Sequence, residues 1–67
     1  MKLEEAIKEI KKELKNVRVY TFSNFVIVRH PHREKVFSIL KKHGVHGYGV
    51  PALTDSIFIE LEREKNS

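Results

Sequence analysis

Two β-rich runs, residues 17–22 and 25–30, flank the dipeptide Ser23-Asn24. This pattern constrains the fold more than any other part of the chain. Val, Ile, Tyr, Phe and Thr favour strands, and a short polar link between two such runs favours a hairpin. If Ser23 and Asn24 form the turn, Phe22 stands opposite Phe25, Tyr20 opposite Ile27, and Arg18 opposite Arg29. Alternation then sorts the side chains onto two faces. One face holds Val17, Val19, Thr21, Val26, Val28 and His30. The other holds Arg18, Tyr20, Phe22, Phe25, Ile27 and Arg29. The valine face is the natural core, which leaves an aromatic face to be explained.

The rest of the chain supplies what covers the valines. Residues 2–15 read as an amphipathic helix, with Leu3, Ala6, Ile7, Ile10 and Leu14 at helical spacing. Glu4–Lys8 and Glu9–Lys12 support its exposed side, and Asn16 is its expected stop. Residues 32–43 read as a second helix, with Pro31 suited to its first turn, Gly44 to its left-handed stop, and Val36, Phe37, Ile39 and Leu40 as its buried stripe. Residues 45–50 are expected to form a glycine-weakened strand, 51–55 a loop, and 56–63 a strand with Ile57, Ile59 and Leu61 on one face and Phe58, Glu60 and Glu62 on the other. Residues 64–67 read as a frayed tail.

The expected order is αββαββ, a two-layer α+β sandwich. A four-stranded, mostly antiparallel sheet carries both helices on one face. The link from the second strand to the third passes through a helix, so that pair is expected to be parallel neighbours with a right-handed crossover.

At 67 residues the chain is read as a single domain, 1–67, with a marginal core. Chains this small usually add a disulfide, a metal or a partner. With no cysteine, disulfides and thiolate metal sites are excluded. A homodimer is therefore expected. No apolar run approaches the roughly 20 residues that span a membrane, and the first residues lack a signal-peptide pattern. An intracellular, cytoplasmic protein without membrane partners is the expectation. Abundant Lys and Glu, with no Gln, Cys or Trp, lean towards a thermophile.

Charge is uneven. Residues 16–50 carry six Lys or Arg against Glu34 alone, a net +5 within a chain total of +4. Such a segment suits an anionic partner. The aromatic face sharpens this, because rings on a sheet with arginines beside them hold single-stranded nucleic acid by stacking and by phosphate contact. The leading expectation is a small, basic, non-enzymatic regulator that binds DNA or RNA as a homodimer. Arg18, Arg29, Arg33, Lys41 and Lys42 would contact phosphate, and Tyr20, Phe22 and Phe25 would stack. Facing Arg18 and Arg29 repel unless an anion lies between them, either a ligand or a carboxylate such as Glu60 or Glu62. The main alternative is an assembly module whose aromatic face is buried against a second subunit.

All four histidines bracket the second helix: His30 and His32 before it, His43 and His46 after it. Imidazole suits Zn, Cu or Ni. One shared site is disfavoured, because eleven residues of helix place His32 and His43 about 16 Å apart. No metal or other cofactor is expected, and helix-end roles suit these side chains better. A third reading is a metal-independent phosphodiesterase, with His30 and His32 as acid and base and Arg29 and Arg33 on the developing charge.

Gly44-Val45-His46-Gly47 after Lys41-Lys42-His43 resembles the phosphate-clamping loop of K-homology RNA-binding domains, and the preceding αββα order is similar to one topology of that family. That loop should lead into a helix. Here Tyr48-Gly49-Val50-Pro51 follows, a poor helix start, so the family is not assigned. The plainer reading is that Gly44 ends a helix while Gly47 and Gly49 let a strand bulge or pass close to a side chain.

Overall fold

The computed structural model describes residues 2–61. Its order is α1 (Lys2–Glu13), β1 (Arg18–Thr21), β2 (Phe25–Arg29), α2 (Arg33–Lys42), β3 (Tyr48–Val50) and β4 (Leu53–Glu60). The fold is α+β: two helices and one antiparallel sheet with strand order β1-β2-β4-β3. The expectations for Glu62, for Arg63 and for the tail fall outside the described residues.

The hairpin has the expected register. Arg18 faces Arg29, Val19 faces Val28, Tyr20 faces Ile27 and Thr21 faces Val26. The Phe22 N–H donates to the Phe25 carbonyl at 2.8 Å, closing the turn at Ser23-Asn24. The sequence logic holds because a one-residue slip would expose Val26 and Val28 and bury the arginines.

One hydrophobic core joins helices and sheet. Ala6 and Ile10 of α1 and Val36, Ile39 and Leu40 of α2 meet Val26, Val28, Ile57 and Ile59. Leu3, Ile7, Leu14, Val19, Phe37 and Leu61 pack around this centre. α2 stops as expected, with Gly44 in the left-handed region at φ 73°; α1 ends at Glu13, short of the expected 2–15, and Asn16, at φ 59°, turns the chain after it.

The second half departs from expectation in three ways. First, β2 and β3 run in the same direction but are not neighbours, because β4 lies between them, antiparallel to both. The chain gains two antiparallel pairings in place of one parallel pairing, and the apolar strand, β4, takes the buried central position. Secondly, residues 51–55 are not a loop. Pro51 and Ala52 alone form the turn, Val50 faces Leu53, and β4 already starts at Leu53. Proline is well suited to the corner of such a turn because its φ is preset. Thirdly, the strand expected over 45–50 is only Tyr48–Val50, with a pairing irregularity between Tyr48 and Val50.

The start of α2 also shifts by a residue. His32 is the N-cap and Arg33 the first helical residue, so Pro31 precedes the cap and is not in the first turn.

Candidate nucleic-acid interface

Strand pairing writes the open face of the sheet as three rows across the strands. The middle row is Tyr20–Ile27–Phe58–Tyr48, one residue from each of β1, β2, β4 and β3. On one side lies Phe22–Phe25–Glu60, and on the other Arg18–Arg29–Ser56. Neighbouring rows are two residues, or about 7 Å, apart along each strand. The rings form a continuous stack. Phe22 and Phe25 have centroids 4.7 Å apart at 17°, Phe25 and Phe58 6.5 Å at 28°, and Phe58 and Tyr48 5.9 Å at 22°. Such pairs add about 1 kcal/mol each beyond burial. Even so, Tyr20, Phe22 and Tyr48 remain 38%, 46% and 51% exposed.

Five of the expected binding residues, Arg18, Tyr20, Phe22, Phe25 and Arg29, therefore share this face. Arg33, Lys41 and Lys42 do not join them. All three lie on α2, whose buried residues pack against the opposite face. Arg33 lies over Gly49 and donates to the carbonyls of Leu53 (3.2 Å) and Ser56 (3.4 Å). Lys42 is paired with Glu9 at 2.5 Å. Lys41 is exposed. Among the described residues, only the arginine row brings cations beside the rings.

Two further residues complete the face and were not among the expected binding residues. Phe58 links the two halves of the ring stack, as the alternation of β4 suggests. Tyr48 closes it at the β3 edge; glycines on either side weaken the strand pattern that would have revealed it. The carboxylate that meets the arginine row is Asp55, which pairs with Arg29 alone; Glu60 lies at the opposite end of the face, and Glu62 falls outside the described residues. The Arg29 guanidinium donates to Asp55 Oδ2 at 2.9 Å. That hydrogen bond raises the Arg29 pKa and lowers that of Asp55.

At the arginine end of the hairpin an open depression of about 200 Å³ is lined by Asn16, Arg18, Arg29, His30, Pro31 and Asp55. His30 lies under its floor, 7% exposed. Its Nδ1 accepts the His32 backbone N–H at 3.0 Å, so Nε2 carries the ring proton.

The other histidines have separate surroundings. His32 is exposed, 3.9 Å from Glu34. His46 is exposed. His43 is tied to α1, its Nε2–H donating to Glu9 Oε1 at 2.7 Å. Glu9 thus bridges to α2 and does not make the expected local pair with Lys12. Hydrogen bonds from Lys42 and from His43 hold its carboxyl far below the usual range, at about 2. Among the described residues no three His, Asp or Glu side chains gather as metal ligands. His30 and His32 have ring centroids 5.7 Å apart, with His32 on the surface and His30 buried.

Gly47 and Gly49 serve packing. A Cβ on Gly47 would come within 2.9 Å of Ile57 Cγ2 and 3.2 Å of Leu40 Cδ1. A Cβ on Gly49 would collide with the Arg33 guanidinium. Gly47, the last residue of the Gly44-Val45-His46-Gly47 loop, is therefore set by core packing, in line with the plainer reading of the glycines.

Among the described residues no helix is long and apolar enough to cross a membrane. No protein-family model, no curated protein and no solved structure matches this chain.

Proposed function

We propose that this chain binds single-stranded nucleic acid on the open face of its sheet, as a non-enzymatic regulator. The observation that carries the reading is the ring stack crossing all four strands beside the arginine row. Bases have two apolar faces and stack on such rings whatever their sequence, while phosphates need cations next to them. The face is polarised in the same sense: Arg18 and Arg29 lie on one side of the middle row and Glu60 on the other. A strand running across the β-strands rests its bases on the middle row and turns its phosphates to the arginines, away from Glu60. With two arginines involved, the affinity of an oligo-dT or oligo-U falls with salt at a log–log slope of about −1.4. Fluorescence anisotropy between about 50 and 200 mM salt measures this. An absence of binding at low salt rejects the reading.

A second reading uses the same rings for assembly as a homodimer. It is favoured by the apolar character of the rows and by the near balance of Arg18 and Arg29 against Asp55 and Glu60. Exposed aromatic area of this kind often marks a protein interface. If Phe22→Ala together with Tyr48→Ala converts a dimer to a monomer and leaves nucleic-acid affinity unchanged, the face belongs to assembly.

A further inference from the structure

The depression at the arginine end offers more donors than its own carboxylate uses. Arg18 has no hydrogen-bond or ion-pair partner among the described residues. Arg29 gives one nitrogen to Asp55 and keeps further N–H donors on its planar fork. His30 is more than nine-tenths buried, and its ring proton on Nε2 meets no protein acceptor. No fully buried side-chain nitrogen or oxygen lacks a partner among the described residues, so Nε2 keeps some access to solvent, and His30 is one of the residues that line the depression. A donor with solvent access, in a depression shared with two guanidinium groups, is an arrangement an anion fits.

We propose that the depression is a phosphodiester-binding subsite, in which Arg18, Arg29 and His30 Nε2–H hold one backbone phosphate of a strand whose bases lie on the adjoining ring row. The proposal rests on the reading of the open face as a single-strand platform and adds where the backbone is gripped. Charge selects the class of anion. Arg18 and Arg29 against Asp55 leave +1, with histidine counted as neutral. That matches the single charge of a phosphodiester better than a terminal phosphate of about −1.5 to −2. Spacing agrees: the arginine row lies about 7 Å from Tyr20, a distance one nucleotide bridges between its phosphate and its base.

The test compares wild type, Arg18→Gln and Asp55→Asn in binding oligo-dT and oligo-U across a salt series. Arg18 is exposed and unpartnered, so its replacement leaves the melting temperature near wild type. Arg18→Gln weakens binding roughly tenfold, as expected for loss of a charge-assisted bond, and makes the salt slope shallower by about 0.7. Asp55→Asn acts in the opposite sense, tightening binding and steepening the slope. If wild type binds and Arg18→Gln changes neither affinity nor slope, the subsite is overturned while the platform stands. If wild type binds no single strand, the platform falls, and the depression is judged by nuclear magnetic resonance of the His30 ring. A saturable His30 Nε2 shift on adding dimethyl phosphate, absent in Arg18→Gln, keeps the subsite; no shift overturns it.

Discussion

Glu9 joins the two helices through two side-chain contacts. It accepts from Lys42 and His43 at the far end of α2, with only 18% of its side chain exposed. Because its pKa falls from 4.5 to about 2 on folding, its charged form is the one the native state stabilises. That contribution is complete above pH 4.5 and is lost as the pH falls towards 2. Glu9→Gln should therefore melt below wild type at neutral pH, and the gap should close on acidification to about pH 2. Melting curves of both proteins across this range check it; a gap that persists undiminished at the acid end contradicts the assignment. Nothing in the sequence marks this contact. Local spacing pairs Glu9 with Lys12, whereas its partners are 33 and 34 residues away. By contrast, the burial of His30 agrees with its place in the strand alternation.

The elements divide in the same way. The β1–β2 hairpin was legible down to its register, because two strongly alternating runs and a two-residue link leave one solution that buries the valines. The β3–β4 hairpin was not. Pro51-Ala52 lacks the Gly or Asn that usually signals a two-residue turn, and β3 is only three residues, Tyr48–Val50, with Gly49 at its centre. Just ahead of β3, Gly47 lies so close to Ile57 of β4 and Leu40 of α2 that it has no room for a methyl group. Gly47→Ala should cost about 1–3 kcal/mol, because the crowding atoms belong to Ile57 and Leu40 in the fixed core. Gly49→Ala should cost less, since the atom in the way is the far end of the flexible Arg33 side chain. Urea unfolding of the two variants orders them; Gly49→Ala emerging as the more damaging change contradicts this packing. Leu40, fully buried where α2 meets the sheet, should cost about 2–5 kcal/mol when replaced by Ala.

At the scale of the whole molecule, strand order was beyond the sequence because it depends on which non-local pairing wins. Placing β4 between β2 and β3 sets Phe58 in the centre of the open face, between Phe25 and Tyr48. The same order separates the expected cations. The basic segment is continuous in sequence, but the fold sends Arg18 and Arg29 to the open face and Arg33, Lys41 and Lys42 to the helix layer. A binding site inferred from charge clustering along the chain is thus trimmed to the residues that alternation places beside the rings.

The claim that this face is a single-strand platform is tested most directly by the affinity of an oligo-dT for wild type and for Tyr48→Ala. Tyr48 is half exposed at the sheet edge and lies outside the core. Loss of one stacked base is worth about 1–3 kcal/mol, so the account predicts that the variant binds roughly five- to a hundredfold more weakly at low salt, with its melting temperature little changed. Equal affinity of the two proteins, or no binding by wild type, would contradict it.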